Sequence, residues 1–217
     1  MIFTPTIVND GRRVFIGSQP TNFITSGAYA NTELSNSYEN IDIQSLLQNQ
    51  NVNDLQFSTV LRASATFPFV MPMITLPTTP EIQLMDAGIR DNYGGKTMVQ
   101  FLDVMKDWIA ENTSGVIVVQ IRDIKKVFEE ETFRQVSFLD KLFLPFGNMY
   151  KNFPRVQDYN QDELIKLGVK SMNFPVDVVT FNLLEKKSDY ISLSWHLTTH
   201  EKNKIHKAVE SKRNRAS

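Results

Sequence analysis

Cysteine is absent from all 217 residues. That excludes disulfides, thiol nucleophiles and thiolate metal sites, while leaving the redox compartment open. Long hydrophobic runs are missing as well, since no stretch approaches the roughly 18 apolar residues needed to span a bilayer. The opening residues Met1-Ile2-Phe3-Thr4-Pro5-Thr6 lack the basic flank and apolar core of a secretory signal. These absences leave the compartment unknown, with a cytoplasmic or peripheral membrane location favoured. Neither charge is in surplus: 23 Lys and Arg stand against 24 Asp and Glu, a formal net charge of -1. Bulk attraction to nucleic acid or anionic lipid is excluded, and any charged partner is recognised locally. What is plentiful is apolar material, at 41% of the chain with 15 phenylalanines, enough for one sizeable core. The expectation is a single domain over 1–217.

Hydrophobic periodicity and turn residues predict an α/β chain. Ile2 to Val8 and Val14 to Ile16 read as strands joined by Asn9-Asp10-Gly11, a hairpin-type turn. Gln19 to Asn40 reads as a polar loop, followed by a short helix from Ile41 to Gln48. Asp54 to Ala65 carries Leu55, Val60, Leu61 and Ala65 on a helical stripe with Asp54 as N-cap, and Pro68 sets the limit of that helix. The prolines of Phe67-Pro68-Phe69-Val70-Met71-Pro72 place it in an extended connection. Glu81 to Met85 is a strand, and Thr97 to Glu111 an amphipathic helix packed through Val99, Leu102, Met105, Trp108 and Ile109. Gly115 to Ile121 reads as a strand covered on both faces. Strand, helix and strand in succession predict a right-handed crossover unit. Glu163 to Met172 and Thr199 to Lys212 are expected as helices, and Val176 to Asn182 and Tyr190 to Leu193 as strands.

The strand at Leu84-Met85 delivers Asp86 into a tight turn, Ala87-Gly88-Ile89-Arg90-Asp91-Asn92-Tyr93-Gly94-Gly95. Upstream stands Leu61-Arg62-Ala63-Ser64-Ala65-Thr66-Phe67-Pro68. In this order, and with Ile2 to Phe15 before them, these segments resemble the patatin-like phospholipases, lipid acyl hydrolases with a three-layer α/β/α fold. The similarity extends weakly to Leu193-Ser194-Trp195-His196-Leu197 and so covers most of the chain. Ala87 departs from the family's usual glycine there and requires a negative φ.

In that family a serine on a G-x-S-x-G elbow attacks an ester, an aspartate orients or deprotonates the serine, and glycine-rich backbone amides hold the oxyanion. The resemblance implies that Asp86 is the dyad aspartate. It also implies that Thr66 to Met73, with Phe67, Phe69 and Met71, forms part of the acyl-substrate wall. No serine of the chain lies in G-x-S-x-G, and no glycine-rich oxyanion motif is present. The chain is accordingly expected to be a partial sandwich, the C-terminal portion of such a domain, inactive alone and acting in its parent on lipid or other acyl esters. The alternative is a noncatalytic interaction module derived from the same fold. No cofactor or metal is expected. Sheet edges exposed by the missing strands predict a homo-oligomer.

Each motif has a plainer reading. Asp86 suits a turn cap, and Arg90, Asp91 and Asn92 suit organisation of that turn. His196 and His200 have one-face helical spacing, with His206 beyond, but lack the glutamate of H-E-x-x-H, so surface or capping roles are preferred over zinc. The aromatic stretch from Phe128 to Phe153 fits either an interfacial flap with peripheral membrane contact or a buried cover of the sheet, and burial is preferred. The basic tail from Lys202 to Arg215 complements a helix C-terminus.

Overall fold

The computed structural model describes residues 1–26, 39–66, 71–124, 157–184, 191 and 196–210. Both helices and strands are present, in two compact units. The first comprises Met1–Asn112 with Phe146–Asn173, the second Thr113–Pro145 with Phe174–Ser217.

In the first unit, β1 (Ile2–Phe3) and β2 (Thr6–Ile7) pair with β3 (Arg13–Gly17) in one continuous antiparallel register, Ile2 opposite Gly17 and Thr6 opposite Arg13. They are one strand interrupted at Pro5, which has no N–H to give. Its carbonyl still accepts from Val14 N at 2.9 Å. The expected turn forms: Gly11 adopts φ 78°, and its N–H donates to Ile7 O at 2.9 Å. β4 (Asn40–Asp42) runs parallel to β3 on its other edge. On the far side β6 (Ile82–Met85) pairs antiparallel with β2, and β5 (Ile74–Leu76) with β6. The side chains of Ile7, Val14, Ile16 and Leu84 are buried in the core cluster beside this sheet.

Helices α1 (Asn22–Thr25) and α2 (Ile43–Leu46) meet at Asp42, whose carboxylate accepts from Thr21 N at 2.6 Å and Gln44 N at 2.7 Å. The Ile41 to Gln48 segment is thus strand first and helix second. α3 (Phe57–Ala65) does not begin at Asp54, which lies in a 3-10 turn, Val52–Asp54. Extended backbone at Leu55 and Gln56 breaks the phase between them. The buried stripe is therefore Val60 and Ala63, while Leu61 is exposed. As expected, α3 ends ahead of Pro68.

The single helix expected from Thr97 to Glu111 is two, α5 (Gly95–Val104) and α6 (Lys106–Asn112), preceded by the one-turn α4 (Gly88–Asp91). Met105 leaves the helical region at φ -94°, ψ 5°. The break re-aims the following turn, leaving Ile109 buried and Trp108 56% exposed. Helix α7 runs over 157–171 and includes most of the segment expected from Glu163.

The second unit holds β7 (Val116–Ile124) and β8 (Val176–Leu184), paired in parallel from Val116 opposite Val176 onward. Its helix α8 (Thr199–Val209) starts at a capping box between Thr198 and Glu201 and packs near β8. Two expectations are corrected here. β7 is not the second strand of a crossover from β6, because both edges of β6 are already taken by β2 and β5. Nor, among the described residues, are both faces of β7 covered: Ile117, Val119 and Ile121 are 69%, 58% and 75% exposed. The aromatic stretch 128–153 and, apart from Ile191, the strand expected at 190–193 lie outside the described residues. No helix among the described residues is long and apolar enough to cross a membrane.

Candidate functional site

Asp86 follows the last residue of β6 and is held by three elements at once. Its N–H donates to Thr66 O at 2.9 Å, and Ala87 N donates to Ser64 O at 3.2 Å, so the C-terminal end of α3 pairs with the turn backbone. From β2, the buried Thr6 hydroxyl donates to Asp86 O at 3.1 Å. The two sequence segments that carried the resemblance are thereby in direct contact. Ala87 takes φ -63°, ψ -31°, ordinary helical backbone, so the negative φ required of an alanine at this position is present.

The carboxylate caps its own turn: Oδ1 accepts from Gly88 N at 2.6 Å. A Cβ at Gly88 would sit 2.8 Å from both Asp86 Oδ1 and Asn92 Oδ1, so either side chain would have to shift to admit one. Oδ2 has no hydrogen bond among the described residues. Burial pushes the Asp86 carboxyl above its ordinary range, and the Gly88 N–H opposes only part of this. A half-buried carboxylate with raised proton affinity and one oxygen uncommitted is suited to accept a proton from a hydroxyl. No serine hydroxyl is hydrogen-bonded to it among the described residues. Ser64 Oγ, on the last turn of α3, is buried without a hydrogen-bond partner among the described residues.

Behind the turn lies a charged network. Asp91, fully buried, accepts from Lys96 N at 3.0 Å and from Thr97 N at 2.8 Å, filling the donors at the start of α5. Arg13 reaches it from β3, and its guanidinium also donates to Asn40 Oδ1, Thr97 Oγ1 and Gln100 Oε1. Burial pulls the Arg13 guanidinium below its ordinary range, with Asp91 and Glu39 pushing back and Arg90 adding to the fall. Nearer solvent, Glu39 pairs with both Arg90 and Lys96. Burial raises the Glu39 carboxyl, but Lys96, Arg90 and Arg13 together outweigh it and hold it below the ordinary carboxylate range. Sequence reasoning assigned Asp91 and Arg90 to the turn, as found, but passed over Thr6, Arg13 and Glu39. The available signal was a charged residue, Arg13, at the head of an apolar strand.

Of the expected substrate wall, Phe67 and Phe69 lie outside the described residues, Met71 is half-buried and Thr66 is fully buried. The Thr66 hydroxyl is committed to Arg62 O at 2.6 Å. His196, His200 and His206 are exposed, and no cluster of three or more metal-ligating side chains occurs among the described residues. Comparison with protein-family models, curated proteins and solved structures finds no match to this chain.

Proposed function

We propose that this chain is the aspartate-bearing portion of a patatin-like lipid acyl hydrolase domain, a partial three-layer α/β/α sandwich. The observation that supports the reading is the pairing of Asp86 N with Thr66 O and of Ala87 N with Ser64 O. It joins two motifs that are separate in sequence and puts the carboxylate in a half-buried position with raised proton affinity.

In this reading the nucleophilic serine and the oxyanion donors lie outside the 217 residues. Asp86 accepts the proton as the serine oxygen bonds to the ester carbonyl carbon. It returns that proton to the leaving alkoxide as the tetrahedral intermediate collapses to acyl-serine and alcohol. Water then attacks the acyl-serine, Asp86 taking and returning a proton again, to release the fatty acid. The isolated chain is inactive because only the base is present.

The test begins with the coding DNA directly upstream. An in-frame G-x-S-x-G, and a longer product whose serine is labelled by a fluorophosphonate, are expected, with Asp86→Asn lowering ester turnover by about 10²-fold or more. Absence of that elbow, or ester hydrolysis by the 217-residue chain itself, overturns the reading. The second reading, a noncatalytic interaction module, draws on the exposed apolar face of β7.

A further inference from the structure

The turn that carries Asp86 is also gripped from α7. Gln157 and Gln161 stand one helical turn apart and reach the backbone at the end of α4: Gln157 Nε2 donates to Ile89 O, and Gln161 Oε1 accepts from Tyr93 N at 3.4 Å. Had α4 continued past Asn92, Tyr93 N would donate to Ile89 O, since those residues are four apart. The two glutamines take that pair separately, one group each. Gln157 Oε1 and Gln161 Nε2 have no hydrogen-bond partner among the described residues, so the end that each amide turns to α4 is its committed one.

Packing fixes α7 beside the turn. Gln161 is 5% exposed, and Ile165, one turn further on, is buried against α5: a Cβ on Gly95 would come within 3.0 Å of Ile165 Cδ1. Beyond it, a Cβ on Gly168 would come within 2.6 Å of Val99 Cγ1. A glycine on each helix thus lets α5 and α7 approach closely. Gln157, Gln161, Ile165 and Gly168 share one stripe of α7, and that stripe faces the α4–α5 segment.

The position of α4 matters because the helix is short. Gly88–Asp91 is a single turn, and a single turn does not persist unaided. Its first N–H, from Gly88, donates to Asp86 Oδ1 at 2.6 Å, and Ile89 N donates to Asp86 O at 3.4 Å. A shift of α4 therefore moves the donor that fixes the carboxylate. Upstream, Thr6, Ser64 and Thr66 hold the turn. Downstream, Arg13 holds the Asp91 side chain and the two glutamines hold the backbone.

We propose that Gln157 and Gln161 are positioning residues for Asp86: they stop α4 after one turn and keep Gly88 N against Oδ1, so that the uncommitted Oδ2 holds a fixed direction. Their part in catalysis rests on the hydrolase reading, but the clasp itself is measured on the 217-residue chain without serine or ester. Lack of an upstream elbow would end that reading and leave the clasp to its own result.

Nuclear magnetic resonance of the 217-residue chain is the test. The Gly88 N–H signal follows Asp86 as it ionises, because the two are hydrogen-bonded, so one titration reads both the carboxyl and its cap. A large displacement with pH is expected in wild type. Gln157→Met and Gln161→Met keep side-chain length and remove the amide. Each is expected to lose most of that displacement, and to let the Asp86 pKa fall toward the ordinary carboxylate value as water reaches the loosened turn. Thr21→Val removes a buried hydroxyl that donates to Asp42, and is expected to change neither quantity. That control separates positioning from a general loss of stability. A coupling across the hydrogen bond, between Gln157 Nε2 and the Ile89 carbonyl carbon, is expected in wild type and needs no variant. Wild-type titration in either glutamine variant, an equal change in Thr21→Val, or a wild-type coupling from Tyr93 N to the Ile89 carbonyl overturns the proposal.

Discussion

Arg13 Nη1 lies 3.3 Å from Asp91 Oδ2, and both side chains are fully removed from solvent. The pair ties β3 to the end of α4, and the same Asp91 carboxylate accepts from Lys96 N and Thr97 N at the start of α5. Arg13 is suited to this because its fork engages Asn40, Asp91, Thr97 and Gln100 simultaneously. Its guanidinium also stands 5.3 Å from the centre of the Phe15 ring.

Arg13→Met strands a buried carboxylate and is expected to cost about 3–5 kcal/mol. Arg13→Lys keeps the charge but cannot reproduce the fork, and is expected to cost about 2 kcal/mol. Urea unfolding checks both. Equal stability of Arg13→Met and wild type would show that the pair is dispensable.

The Asp86 carboxyl is raised by burial, so the folded chain binds this proton more tightly than the unfolded chain does. The sign follows: stability is fullest below the unfolded pKa and part is lost as pH rises through the folded-state value. Asp86→Asn is expected to melt about 1–3 °C above wild type at pH 7 and to match it near pH 3. Thermal scans at both pH values decide. A variant less stable at neutral pH would mean that the ionised carboxylate is a stabilising cap.

Glu39 behaves oppositely, since its cationic neighbours depress its pKa in the fold. Its contribution is present above the unfolded pKa and is lost as pH falls through the folded-state value. Because the pairs with Arg90 and Lys96 are about one-third exposed, solvent screens them. Glu39→Gln is expected to cost about 0.5–1 kcal/mol at pH 7 and nothing near pH 2. Denaturant titration with added salt should shrink the neutral-pH difference further.

Gly94 precedes α5 with φ 68°, ψ 13°, and a Cβ added there meets nothing within 4 Å. Any cost of substitution is therefore backbone strain. Gly94→Ala is expected to lose about 1–2 kcal/mol, and Gly94→Asn less, since asparagine tolerates the left-handed region. Calorimetric melting of the two variants gives the order, and equal losses would point to a cause other than φ.

Features specified over a few residues could be read directly from the chain. The Asn9-Asp10-Gly11 hairpin, the end of α3 ahead of Pro68, the start of α8 at Thr199 and the tight turn at Asp86 each depend on local backbone preference and neighbouring side chains. The α/β class follows from apolar periodicity, which is also local. The break at Met105 and the late start of α3 escaped because helical stripes persist in sequence across a short irregularity.

The remainder depended on contacts between distant segments. Which strand lies beside β6 was settled by competition for its two edges, and β2 and β5 hold them. Arg13 became a buried anchor because Asp91 and Gln100, far along the chain, converge on one guanidinium. The Asp86 site has the same origin. The aspartate in its turn is local chemistry, but its clamp by Thr6, Ser64 and Thr66 exists only where β2 and α3 pack against the end of β6, since hydrogen-bond partners so far apart in the chain are matched by folding and not by spacing.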